Sequence, residues 1–308
     1  MRAPGKLVLS GAYAVLEGAP ALVTAVDRYV VADSSAVASF TTPEFAAARP
    51  GSAQPHFDAT PLRDQGQKLG LGSSAAILVA CLGVLSAAEQ PHLALADLRQ
   101  RVFDEALAAH RHAQGGGSGV DVAASSFGGH LLVRREASGG LRVTPVVLPP
   151  QLVVRVWATG EPASTSHFVA TVFDLQRKDP ETFAQKLGAQ AQASEAFAAA
   201  MARGSAAELV HALAAQHDAL VELGRASGAG IVVDAVRQLH ERAQVEGGCV
   251  LPSGAGGGDV SLYAGLTAPS PELLALARRL GQKPLDLGLG APGLSPVEPP
   301  ATPAHNDS

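Results

Sequence analysis

The chain has 308 residues, a formal net charge of −5 at pH 7, 47% hydrophobic and 4% aromatic residues, and two cysteines. A chain of this length buries a full core and is expected to form two domains. With no basic field, nucleic acid and anionic membranes are not expected as partners. Two lone cysteines outside any metal-ligand spacing fit a reduced cytoplasm.

Met1-Arg2-Ala3-Pro4-Gly5-Lys6 leads into a short strand without a signal-peptide apolar core. Residues 6–10 and 21–32 read as β segments, rich in Val and Leu and separated by glycine-containing turns. Residues 47–67 are polar with three prolines and read as a surface excursion. The uncharged stretch 69–88 is barely long enough to span a membrane and begins with two glycines and two serines, so a buried helix is expected. Residues 95–112 carry Leu95, Leu98, Val102, Ala106 and Ala109 on one face of an amphipathic helix. A short helix from Val120 and a strand at 130–135 follow, and Pro149-Pro150 marks the expected domain boundary. Beyond it come a strand at 152–158, helices over most of 164–245, a strand near Cys249, a strand at 260–264, a helix at 271–281 and a strand near 284–287. This order predicts an α+β sandwich with an antiparallel sheet. The Pro-rich residues 291–308 are expected to be a disordered tail.

Three glycine loops carry the chemistry. Gly70-Leu71-Gly72-Ser73-Ser74-Ala75-Ala76 opens the uncharged helix. Glycines let the backbone turn tightly, and the first N–H groups of a helix lack intrahelical partners, so the junction suits a phosphate. The hydroxyls of Ser73 and Ser74 add donors for phosphate or ligands for magnesium. A plain loop and cap before a core helix accounts for the heptapeptide equally well. The G-x-G-x-x-A spacing of dinucleotide sites is formally present, but the preceding residues 63–68 do not read as a buried strand.

The second loop, Gln114-Gly115-Gly116-Gly117-Ser118-Gly119, places Asp121 in the first turn of an otherwise apolar helix. Asp121 either favours its helix N-terminus or orients a hydroxyl or phosphate. The third loop, Pro252-Ser253-Gly254-Ala255-Gly256-Gly257-Gly258-Asp259, lies between two β segments whose pairing such glycine density weakens. The density makes sense where something approaches the backbone closely.

The set resembles the GHMP small-molecule kinases, whose three motifs correspond here to Ala3-Pro4-Gly5-Lys6 through Leu16, to Gly70–Ala76 and to Ser253–Gly258. The resemblance spans residues 1–287. It implies an α+β, two-domain GHMP-kinase fold with ATP between the domains: an N-terminal βαβ-type domain (1–150) and a C-terminal ferredoxin-like α/β sandwich (151–290). No Walker-type G-x-x-x-x-G-K-[ST] occurs. Within the superfamily the chain is most similar to the phosphomevalonate kinases, through Lys68-Leu69-Gly70-Leu71-Gly72-Ser73-Ser74, Ala113-Gln114-Gly115 with Gly117–Ala124, Trp157-Ala158-Thr159-Gly160 with Ser164-Thr165, and Ser253–Asp259.

The resemblance implies transfer of the ATP γ-phosphoryl group to 5-phosphomevalonate, with Lys6 and Asp121 catalytic. It assigns Lys68, Gly70, Leu71, Gly72, Ser73, Ser74 and Ala75 to ATP, Ser74 also to Mg2+, and Tyr13, Gly117, Ser118, Ser164, Thr165, Ser253, Gly254 and Ala255 to the acceptor. Mevalonate kinases carry a magnesium-binding Glu eleven residues before their catalytic aspartate, where this chain has His110. His110, Arg111 and Lys68 are candidates for the substrate phosphate. Two departures from the family pattern are Ala12, where Glu is usual, and Leu251, where Lys is usual. Alternatives are mevalonate or another small alcohol as acceptor, and a catalytically silent GHMP-fold sensor. The sequence leaves the oligomeric state open.

Overall fold

The computed structural model describes residues 1–64, 66–137, 139–159 and 165–297. In chain order the elements are β1 (Arg2–Ser10), β2 (Ala21–Val37), α1 (Pro43–Ala48), β3 (Pro55–Asp58), β4 (Arg63–Asp64), β5 (Gln67–Lys68), α2 (Ser73–Glu89), α3 (Leu95–Ala113), α4 (Val120–Phe127), β6 (His130–Arg135) and β7 (Leu141–Val146). The second half runs β8 (Val153–Ala158), α5 (Thr165–Lys178), α6 (Pro180–Arg203), α7 (Ala206–Ser227), α8 (Asp234–Val245), β9 (Cys249–Pro252), β10 (Val260–Gly265), α9 (Pro271–Arg279) and β11 (Lys283–Leu285).

The first sheet has the order β1-β2-β6-β7, with β3 on the far end of β2. Its strand pairs are antiparallel. The expected βαβ character lies in the crossover from β3 through α2, α3 and α4 to β6. Both strands pair antiparallel with β2 and therefore run in the same sense. The uncharged sequence of α2 is explained by burial on nearly every face, from Ala75 and Ala76 through Leu78, Val79, Cys81 and Leu82. Among the described residues no helix is long and apolar enough to cross a membrane.

The second sheet has the order β11-β8-β10-β9, all antiparallel, which is the ferredoxin-like arrangement. Its strands are apolar on both faces because both are covered. Trp157, Val250 and Tyr263 pack with Val236 and Leu239 of α8 and Leu273 of α9. Alternate residues, among them Val156, Leu251 and Leu262, join Leu209 and Leu213 of α7 in a core continuous with the first half. Pro149-Pro150 falls between β7 and β8, the last strand of one sheet and the first of the other.

Two expectations need correction. The polar stretch 47–67 contains β3 and a small β4–β5 hairpin, with Leu62 fully buried beneath it. The disordered tail does not begin at 291. Ser295 bridges to Arg2 and Pro292 to Gly128, and Arg99 Nε donates to the Leu294 carbonyl at 2.8 Å. Leu294 is fully buried against Gly83, where a Cβ would come within 2.6 Å of its side chain. Prolines exclude a regular ladder, yet one apolar anchor and irregular backbone hydrogen bonds hold 291–297 in place. Residues 298–308 lie outside the described residues.

Candidate active site

A cleft of about 900 Å³ gathers parts of all three glycine loops, a volume suited to a small-molecule ligand. Lys6 enters it from β1 and is half-buried. Its Nζ donates to the Gly70 carbonyl at 3.1 Å, and its backbone N–H donates to the Leu71 carbonyl at 2.8 Å. The lysine stem lies against Gly72, where a Cβ would be 2.8 Å from Lys6 Cγ. Gly72 has φ +76 and stands at the N-cap of α2 with no side-chain cap. The unsatisfied N–H groups of a long buried helix therefore open beside an ammonium group, an arrangement made for an anion.

Asp121 sits in the first turn of α4 and lines the same cleft. Asp259 reaches it from the third loop, packed on Gly70, where a Cβ would lie 2.5 Å from Asp259 Cβ. Burial pushes the Lys6 ammonium below the ordinary lysine range, and the carboxylates of Asp121 and Asp259 act in the opposite direction. Among the described residues, the only two non-glycines with positive φ are Tyr13 at 61° and Asp259 at 55°, and both line the cleft. Backbone strain of this kind clusters at functional sites.

Most of the residues expected from sequence converge here: Lys6, Tyr13, Lys68, Gly70, Gly72, Ser73, Ser74, Gly117, Ser118, Asp121, Thr165, Ser253, Gly254 and Ala255 line the cleft. The side chains of Leu71 and Ala75 do not; both are buried in the core. Ser164 lies outside the described residues. Two of the expected ligand hydroxyls are engaged by protein. Tyr13 donates to the Ala255 carbonyl at 2.5 Å, and burial raises its pKa. Ser253 donates to the Val8 carbonyl and accepts from the Val8 N–H, each at 3.1 Å. These bonds tie the first motif to the third.

His110 is buried on α3, with Nε2 3.3 Å from Asp121 Oδ2 and 3.0 Å from Gln114 Nε2. It thus touches the carboxylate that resemblance makes catalytic. Arg111, a sequence candidate for substrate phosphate, does not line the cleft and donates to the Gly139 carbonyl instead. The sequence gives no site role to Asp259 and reaches Arg63 and Gln67 only through an analogy that seeks the adenine pocket near 56–68; all three line the cleft. The signal for Asp259 was its place at the end of the third loop. Arg63 and Gln67 come from the β4–β5 hairpin, which no periodicity announces. The departures Ala12 and Leu251 differ in place: Ala12 lines the cleft, whereas Leu251 is a buried strand residue of β9.

The arrangement places a helix N-terminus, the cations Lys6, Arg63 and Lys68 and two carboxylates around a space for a phosphorylated ligand, which suits transfer of a charged group by positioning and charge neutralisation. Residues 60–129 match the family model of the GHMP kinases N terminal domain. A phosphomevalonate kinase from Streptomyces sp. (strain CL190) is 27% identical, over 84% of this chain and 88% of that protein. The Lin0012 protein from Listeria innocua superposes with a TM-score of 0.80 at 23% identity, covering 94% and 97% of the two chains. Streptococcus pneumoniae phosphomevalonate kinase, solved in complex with phosphomevalonate and AMPPNP, gives 0.72 at 20% identity, covering 94% and 99%. The two structural likenesses carry the fold, and the family match with the sequence relative indicates an ATP-dependent small-molecule kinase.

Proposed function

We propose that this ATP-dependent small-molecule kinase of the GHMP type transfers the γ-phosphoryl group of ATP to the phosphate of 5-phosphomevalonate. The observation that supports it best is the convergence of Lys6, Asp121 and the open N-terminus of α2 on one cleft, in a chain 27% identical to a phosphomevalonate kinase over most of both lengths. An acceptor phosphate oxygen attacks the γ-phosphorus, the bond to the β,γ-bridging oxygen breaks, and ADP leaves with its electron pair. The acceptor is already ionised at neutral pH, so no general base is required. The α2 N–H groups, with Ser73 and Ser74, hold the ATP phosphates. Lys6 stabilises the charge that spreads over the transferring group. Asp121 orients the acceptor and, with Asp259, keeps Lys6 charged despite its burial.

Magnesium suits the cleft, because oxygen ligands line it: the Ser74 hydroxyl and the Asp121 and Asp259 carboxylates. Bound with ATP, Mg2+ would neutralise phosphate charge, with Ser74 its ligand from the protein. His110 stands where the resemblance gives mevalonate kinases a magnesium-binding Glu, and the lack of that carboxylate supports the phosphorylated acceptor over mevalonate. The buried, unpaired cysteines agree with a cytoplasmic setting for this reaction.

Coupled ADP release with Mg2+ and ATP tests the reading, comparing 5-phosphomevalonate, mevalonate and no acceptor. Turnover with the phosphorylated acceptor alone is expected. Turnover with mevalonate alone would reassign the acceptor. Silence with both, despite ATP binding, would point to a different acceptor or to a sensor.

A further inference from the structure

A second opening, of about 320 Å³, lies between α7 and α8 and shares no lining residue with the nucleotide cleft. His217 of α7 and His240 of α8 meet there, both buried, with nearly parallel rings 3.6 Å apart between centroids. Their Nδ1 atoms lie 2.7 and 2.9 Å from a single acceptor, the Val250 carbonyl of β9. The Val250 N–H also reaches His240 Nδ1, but at 3.3 Å this is the longer contact. A carbonyl only accepts, so each Nδ1 carries the proton and each Nε2 keeps a lone pair.

His240 Nε2 is buried with no hydrogen-bond partner among the described residues. What faces it is another electron-rich group, Asp218 Oδ1, at 4.0 Å. One ligand atom from each of His217, Asp218 and His240 lies within 4.8 Å of the other two. The neighbouring guanidinium groups each pair with a carboxylate on their own helix, Arg225 with Glu222 and Arg237 with Asp234, while Arg237 Nε is buried with no hydrogen-bond partner among the described residues. Two imidazole nitrogens and an exposed carboxylate thus converge on one opening.

We propose that His217, Asp218 and His240 bind one divalent transition-metal ion of the zinc class. Two imidazole nitrogens and one carboxylate select such an ion over Mg2+, which prefers an all-oxygen shell. The Val250 carbonyl is the outer partner that fixes both tautomers and aims the ligand nitrogens. Two nitrogens on one tetrahedral ion stand about 3.3 Å apart, close to the observed ring stacking, so tilting the rings completes the site and solvent supplies the fourth ligand. The ion would clasp α7 to α8 and, through Val250, to the strand that leads into the third glycine loop.

The test uses the full-length, tag-free chain, treated with chelator and free of nucleotide, titrated with Co2+. One equivalent is expected to bind with visible ligand-field absorption, to be displaced by Zn2+ and to resist excess Mg2+. Asp218 is exposed, so Asp218→Asn folds normally and is expected to weaken Co2+ binding by more than about 10-fold, while His240→Gln abolishes it. Zn2+ should raise the melting temperature of the parent chain and leave Asp218→Asn unchanged. Absence of Co2+ binding, equal binding by folded Asp218→Asn, or displacement by Mg2+ would each overturn the proposal.

Discussion

The two glycine loops at 115–117 and 253–258 look alike as sequence and are built for different neighbours. At Gly115 and Gly116, both with positive φ, a Cβ would meet nothing within 4 Å, so that side of the backbone is open although their N–H groups donate to the His112 and Arg111 carbonyls. In the other loop a Cβ on Gly256 would lie 2.1 Å from the Ile231 carbonyl, and one on Gly257 would lie 1.9 Å from the Phe168 ring. There the backbone is approached by protein, and Gly257 N–H donates to the Ile231 carbonyl at 2.8 Å. Only Gly254 of that loop combines positive φ with open space at the cleft. Glycine density says that something must come close; tertiary structure decides whether that is a ligand or another part of the chain.

If the loops mainly frame charged groups, the largest loss follows removal of the charge they surround. Lys6→Met is expected to lower kcat roughly 10²–10³-fold, or about 3–4 kcal/mol of transition-state stabilisation, without loss of folding stability, because the ammonium is already desolvated. Steady-state ADP release and a urea melt measure both, and near-normal turnover would place the essential charge elsewhere. Next in size is Gly257→Ala. A left-handed alanine at φ +75 and a collision with Phe168 together cost about 3 kcal/mol of stability. The packing explanation is checked by repeating the substitution in a Phe168→Ala background, where it should cost clearly less. An equal cost would remove Phe168 as the reason for this glycine.

Elements whose pattern repeats over many residues were legible. The amphipathic spacing of α3, the uncharged run of α2 and the strand 130–135 each appear where expected. The three motifs were legible one by one, although their sequence separation disguises the single cleft at which they meet. What escaped notice depends on contacts between distant residues. β7 is a mixed, half-exposed strand stabilised by pairing with β6, so its own composition does not mark it. Leu294 anchors 291–297 although prolines and glycines surround it. Asp259 becomes a cleft residue because Gly70 lets its side chain come close, a relation across 189 positions that local reading does not see.

On the open loop the expected stability effect is smaller. Gly116→Ala meets no atom, so its cost is that of an alanine at φ +132, about 1–2 kcal/mol. Gly116 does not line the cleft, so its effect on kcat should be small. A stability loss matching that of Gly257→Ala would erase the distinction between the loops.

The finest test concerns pH and the one carboxylate that the packed loop contributes. Lys6 must be protonated to stabilise the transferring phosphoryl group, and burial already lowers its pKa. The charge of Asp259 opposes that lowering, so Asp259→Asn removes a raising influence and the pKa falls further. Activity is retained while Lys6 holds its proton and declines as pH rises through its pKa. The alkaline limb of the kcat profile should therefore move to lower pH in Asp259→Asn, with little change at neutral pH. A limb that stays in place would show that Asp259 acts by holding the loop against Gly70, and one that moves to higher pH would contradict the assignment of Lys6 as the titrating group. Because Gly70 can be left untouched in this variant, the close packing that brings the third loop to the phosphate loop is preserved while its charge is removed, separating the loop's structural role from its electrostatic one.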